Sequence, residues 1–136
     1  MNNTTIEKLI VPSDLSSVSM VESLIDRVCA SLEVSEDAYG NILIAVTEAV
    51  NNAVIHGNSF NASSSVSVDV KQLENQVCFC VSDEGNGFDY DNLPDPTAPE
   101  NIENESGRGI FLIRNLADDV VFDKGGSVVN LYFNRA

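Results

Sequence analysis

Histidine, cysteine and basic residues are all scarce in this chain of 136 residues, which has one His, three Cys, and seven Lys and Arg against 21 Asp and Glu. The net charge of −14 argues against a basic face for nucleic acid. It does not exclude an anionic small ligand, because local backbone donors outweigh a distant surface charge. The lone histidine, His56, leaves too few partners for the cysteines to build a metal cage. Cys78 and Cys80, two apart in an apolar run, are expected on opposite faces of a strand and therefore unbridged. With Cys29 they read as small buried hydrophobes in a reducing compartment. No stretch approaches the ~20 apolar residues of a membrane helix. The opening "MNNTTIEK" lacks the basic and then apolar layout of a signal peptide. A cytoplasmic location without membrane contact is the expectation. A hydrophobic fraction of 43% over this length suits one compact domain spanning 1–136, with no linker or repeat.

The hydrophobic pattern changes period along the chain. "TIEKLIVP" reads as a first strand, suited to a sheet edge. Val18, Val21, Leu24, Ile25, Val28 and Leu32 recur at helical spacing, which predicts a helix over 15–32. Ser35 is a candidate N-cap for a second helix from Glu36 to about His56, with Gly57 as its stop. Val66, Val68 and Val70 then alternate with polar residues, as in a strand with one wet face. "VCFCVSD" follows as a denser strand. "DVVFD" and "SVVNLYFN" read as a closing hairpin joined by "KGG". The expected fold class is α/β, a two-layer sandwich with helices on one face of a mixed, mostly antiparallel sheet. Between Gly85 and Ser106 there is little pattern but three prolines and several acidic residues. A loop that long in a small domain is commonly functional. It reads as a lid over about 89–107, against the plainer alternative of a solvated excursion.

Three stretches carry candidate chemistry. In "EAVNNAVIHG", Glu48, Asn52 and His56 are spaced by four and share one helix face. A carboxylate and a carboxamide one turn apart can hold a hard cation or position a hydroxyl, and equally can form an ordinary solvated stripe. In "DEGNGF", Asp83 stands at a strand end, before Gly85 and Gly87, which permit a tight backbone approach. It can accept a hydrogen bond from a buried amino group or bond its own turn. In "SGRGIFLI", Gly107 and Gly109 flank Arg108 just ahead of an apolar helix whose Ile110, Leu112, Ile113 and Leu116 are expected inside. Bare amides at a helix start receive phosphates, and an arginine adds charge-assisted bonds. A simple hinge is the plainer reading.

Taken in order, the three stretches resemble the N box and the two glycine boxes of the Bergerat-type ATP-binding fold, which histidine kinases and gyrase B share. The short length and "GRGIFLIRNLAD" are similar to the anti-sigma factor serine/threonine kinases of bacterial partner-switching systems. The resemblance covers essentially the whole chain. It implies ATP and Mg²⁺ as cofactors and catalytic roles for Glu48, as general base, and Arg108, near the γ-phosphate or a docked partner. It implies Mg²⁺ coordination by Asn52 and recognition of the adenine amino group by Asp83. Gly85 and Gly87 would shape the adenine pocket, and Gly107 and Gly109 would lie beside the phosphates. His56 would cap or position. The implied partners are a STAS-domain anti-anti-sigma protein, a sigma factor and a second copy of the chain, with no direct nucleic acid contact. The alternative is a nucleotide-gated binding regulator with little or no kinase activity.

Overall fold

The computed structural model describes residues 4–54, 65–83, 105–123 and 127–135, with the backbone alone at Leu15 and at 105–110. Strand β1 (Thr4–Pro12) leads into helix α1 (Val18–Ser31) through one short 3-10 turn at Leu15–Ser17. The first helix is therefore shorter at its start than its apolar pattern suggests. Val21, Leu24, Ile25 and Val28 line its buried face. It ends where Glu33 takes a left-handed φ of 54° and the Val34 amide reaches back to the Cys29 carbonyl at 3.0 Å. Such a 6→1 bond closes many helices and satisfies an orphan carbonyl.

Helix α2 (Glu36–Asn52) follows at once. As expected, Ser35 caps it: its hydroxyl accepts the Ala38 amide at 3.2 Å. Glu36 and Asp37 in the first turn also suit the positive helix end. The regular helix stops at Asn52, four residues before His56, and passes into a wider π-type turn at Ala53 and Val54. His56 and Gly57 lie outside the described residues, as do Gly85, Gly87, the "KGG" turn and the lid segment up to residue 104.

Strands β2 (Ser65–Gln72), β3 (Gln76–Ser82), β4 (Asp119–Asp123) and β5 (Val128–Asn134) complete one five-stranded sheet in the order β1-β2-β3-β5-β4. Every pairing is antiparallel, so the parallel component of the expected mixed sheet is absent among the described residues. Helix α3 (Glu105–Leu116) is inserted between β3 and β4. Val66, Val68, Val70, Val77, Phe79, Val81, Leu131 and Phe133 all face the helices and are buried. Phe79 and Phe133 meet edge to face, 6.2 Å between centroids and 78° between planes, a geometry that adds about 0.5–1.5 kcal/mol to simple burial.

Two expectations are corrected here. Cys78 and Cys80 share one sheet face, because strand side chains alternate and residues two apart project the same way. Both are nonetheless free thiols, as is Cys29. Leu112 is 41% exposed, whereas Ile113 is 1% exposed. Helix α3 packs along α2 on one flank, so only a narrow stripe of its apolar residues turns inward.

The buried thiols make the fold sensitive to alkali. Burial, and next the Asp26 charge, push the Cys29 thiol up to about 11. Burial raises Cys78 to about 11 as well, partly opposed by its hydrogen bond with Tyr132. In the unfolded chain these thiols ionise near 9.0. The folded state therefore holds more protons between the two values, and stability falls as pH rises through that window. The urea midpoint is expected to be flat from neutral pH to about 8.5 and to fall steadily towards pH 11. The Cys29→Ala/Cys78→Ala protein should show a shallower fall. A midpoint unchanged in the native chain at pH 10.5 would contradict this.

Candidate functional site

The fold brings the end of α2 and the end of β3 to one edge of the molecule. Helix α2 starts where the Ser35 amide donates to the Arg135 carbonyl at 3.0 Å, next to the finish of β5. It then packs on β3 and β5. Its 17 residues span ~26 Å, slightly more than the length of β5, so its last turn reaches the opposite end of the sheet. That end carries Ser82, which pairs with Val128, and then Asp83.

Glu48 and Asn52 lie one turn apart on α2 and are both half-buried, flanked by the buried Ala49, Val50, Ala53 and Val54. The helix is otherwise satisfied locally here, since the Thr47 hydroxyl donates to the Leu43 carbonyl at 2.7 Å. Asn52 is different: its Nδ2 is buried and has no hydrogen-bond partner among the described residues. A buried amide left unpaired costs about 1–3 kcal/mol. The cost is recovered when a ligand brings the missing partner. The carboxamide also carries an oxygen, the donor type that Mg²⁺ accepts alongside substrate phosphates. A polar group of this kind fits a Mg²⁺–nucleotide phosphate end. π-type turns such as the one that follows Asn52 recur at functional sites.

Asp83 leaves β3 half-buried. Its amide donates to the Ser127 carbonyl at 2.9 Å, which ties the exit of β3 to the entrance of β5. Ser127 is 9% exposed and, with Ser13 and Ser17, is a buried polar residue among those described. It was not among the residues singled out from the sequence. Its place beside Asp83 follows from the β3–β5 pairing, which bridges a helix and a strand and leaves no local signal.

Gly107, Arg108 and Gly109 fall inside α3 and not ahead of it. The helix begins at Glu105, so Gly107 sits in the first turn, where amides are unpaired within the helix, and Gly109 lies beyond it. The first-turn amides keep the capacity to receive phosphate; the Gly109 amide is committed to the helix. Helix α3 enters β4 at the other end of the sheet, where the Asp118 amide bonds the Tyr132 carbonyl at 2.8 Å. Its run along α2 carries its first turn back towards the end that holds Asn52 and Asp83.

Among the described residues no group of three His, Cys, Asp or Glu is placed to hold a metal by itself. An open cavity of about 580 Å³, lined by residues including Glu33, Glu74 and Arg135, lies at the far end of the sheet and includes no candidate site residue. No described helix is long and apolar enough to cross a membrane.

Comparison with known proteins identifies the family. Residues 11–133 match the family profile of the histidine kinase-like ATPase domain. The serine-protein kinase RsbW of Staphylococcus aureus, from strains JH9 and Newman among others, is 31% identical over 129 residues, covering 89% of this chain and 81% of its own. Among solved structures, the RsbU and RsbW domains of Rv1364c from Mycobacterium tuberculosis superpose with a TM-score of 0.63 over 95% of this chain. At 17% identity and with 32% of that longer chain covered, this likeness concerns the fold. Profile, relatives and fold coincide: the chain belongs to the histidine kinase-like ATPase family and is related within it to the RsbW serine-protein kinases.

Proposed function

We propose that the chain is an ATP- and Mg²⁺-dependent protein serine/threonine kinase whose substrate is a STAS-domain anti-anti-sigma protein, and that it also acts as an anti-sigma factor by binding a sigma factor. The observation that carries this reading is the buried, unpartnered Asn52 amide one turn beyond Glu48, at the sheet end where Asp83 emerges. A single domain would then act in the cytoplasm, with residues 89–107 as the ATP lid.

Each residue takes a role suited to its chemistry. Asp83 accepts a hydrogen bond from the adenine amino group, with Ser127 holding its backbone in place. Gly85 and Gly87 leave room for the base. Asn52 contributes its carboxamide oxygen at the phosphate end, where bound Mg²⁺ supplies positive charge against the charge developing on the phosphoryl oxygens. Gly107 presents a first-turn amide to the phosphates; Gly109 gives the backbone room near them. Arg108 adds positive charge beside the γ-phosphate or docks the partner. Glu48 orients the partner's serine or threonine hydroxyl and takes its proton as the oxygen–phosphorus bond forms and the β–γ bridge breaks, leaving ADP and a phosphoprotein. The product carries about −1.5 to −2 additional charge at neutral pH. A chain of net charge −14 repels it, which favours release and frees the kinase to hold the sigma factor.

Titration calorimetry with ATP, with and without Mg²⁺, tests the site. Saturable, Mg²⁺-dependent binding is expected, weakened at least about tenfold in Asp83→Asn, the scale of a lost charge-assisted hydrogen bond. A correctly folded native chain that takes up no ATP would overturn the proposal.

A further inference from the structure

Helices α2 and α3 expose apolar side chains on their outer surface. Ile44 on α2 is 48% exposed, and Phe111 and Leu112 on α3 are 45% and 41% exposed. Contacts on either side of the helix pair orient these residues. The Tyr39 hydroxyl donates to Asp26 on α1 at 2.6 Å, which marks the α1 flank of α2. Glu48 comes about two and a half turns after Tyr39 and therefore faces the opposite flank, towards α3. Ile44, one turn before Glu48, lies on the same outer stripe. On α3 the Arg114 guanidinium stands over the Phe122 ring of β4, 5.3 Å from its centroid, which marks the β4 flank. Leu112, just over half a turn round from Arg114, projects towards the other flank, where α3 meets α2.

The helices also bring these side chains level. Helix α2 starts and α3 ends at the same end of the sheet, where the Ser35 amide bonds the Arg135 carbonyl and the Asp118 amide bonds the Tyr132 carbonyl. The two therefore run antiparallel. Helix and strand rises put Ile44 ~13 Å, Leu112 ~18 Å and Glu48 ~20 Å from that end. The outer groove between the helices is walled by Ile44 and Leu112, with Phe111 on its ridge, and it leads directly to Glu48. Asn41 and Thr47 beside Ile44, and Asn115 beside Leu112, give it an uncharged polar border. An apolar centre with a polar rim is the layout of a protein interface.

Phosphotransfer decides what lies there. The acceptor hydroxyl has to reach the Glu48 carboxylate, so the segment that carries it passes over the surface next to Glu48 during the reaction. Ile44 is ~6 Å from Glu48 along the helix, the length of two residues of extended chain. Side chains two apart on an extended segment project the same way. We propose that the phosphate-accepting protein lays this segment, extended, in the α2–α3 groove, and that Ile44 and Leu112 select it by receiving an apolar side chain two residues from the acceptor serine or threonine. The inference deepens the phosphotransfer reading and rests on it. Ile44 and Leu112 then set specificity through binding, while the chemical step stays with Glu48 and the nucleotide site.

Steady-state transfer from Mg²⁺–ATP to a STAS-domain protein that accepts phosphate tests it. Ile44→Gln and Leu112→Gln sit at exposed helical positions that suit glutamine. Each should raise the KM for the partner about five- to tenfold and leave kcat and the ATP dissociation constant close to native values. Serine in place of the partner's apolar residue two positions from the acceptor should raise KM by a similar factor for the native chain. It should add little for Ile44→Gln, as expected of two side chains in contact. Val121→Thr, which removes an exposed hydrophobic on β4 away from the groove, should leave KM unchanged. Circular dichroism melts confirm that each variant is folded. Transfer indifferent to both glutamines would overturn the groove assignment and leave the kinase reading intact. So would a defect confined to kcat, additive effects of the chain and partner substitutions, or an acceptor site with polar residues two positions away on both sides. Loss of sigma-factor binding in Ile44→Gln with the partner's KM unmoved would give the groove to the sigma factor and overturn it too. A native chain that binds ATP and phosphorylates no hydroxyl would overturn the phosphotransfer reading itself, and this inference with it.

Discussion

Glu48→Gln is expected to bind Mg²⁺–ATP with affinity close to that of the native chain and to transfer phosphate about 10²–10⁴-fold more slowly, the usual contribution of a general base. The change keeps the shape and the hydrogen-bonding reach of the side chain and removes only its capacity to take a proton. Glu48 is half-buried on the last full turns of α2, so the glutamine fits without disturbing the buried Ala45, Ala49 and Val50 around it. The defect should lie in the rate of the chemical step, read in single-turnover transfer from labelled ATP, with the nucleotide dissociation constant unmoved. Equal transfer by native chain and variant would remove Glu48 from the chemistry. Lost nucleotide binding would make it a binding residue instead.

Asn52→Leu is expected to do two opposite things. Leucine has nearly the shape of asparagine and leaves no buried amide unsatisfied, so the nucleotide-free protein should gain about 1–3 kcal/mol in stability. Mg²⁺-dependent ATP binding should be lost with the carboxamide oxygen. Part of the stability gain comes from leucine's higher helix propensity. Asn51→Leu, at the half-buried neighbouring position, carries that propensity change without touching the orphan amide and serves as the control. Urea unfolding without nucleotide and calorimetry with it give the two readings. A destabilised Asn52→Leu that still binds ATP would show that the amide serves the fold and not a ligand. Residues kept at a cost to stability are a common mark of binding sites.

Much of this was legible in the sequence because it is periodic. The steps of four along α2 placed Glu48 and Asn52 on one face, and Ser35 marked the start of that helix, both as observed. The alternating valines of β2 also announced one wet face and one dry face. What failed to show locally has a common cause, the packing of distant segments. The β3–β5 pairing, which brings Ser127 to Asp83, joins strands separated by α3 and β4. The start of α3 at Glu105 runs against the poor helix propensity of Gly107 and Gly109, and contact with α2 outweighs it. The exposure of Leu112 beside buried Ile113 depends on which flank of α3 meets α2, which apolar spacing alone does not fix.

The most direct measurement is transfer of γ-labelled phosphate from Mg²⁺–ATP to a panel of STAS-domain proteins, with the modified residue located by mass spectrometry. One partner should take up close to one phosphate per molecule on a serine or threonine. Transfer should vanish when that hydroxyl is removed, and should be slowed by Glu48→Gln while ATP binding persists. A native chain that binds ATP tightly, binds its STAS partner, and leaves every hydroxyl unmodified would contradict the kinase assignment and describe a nucleotide-gated binding regulator.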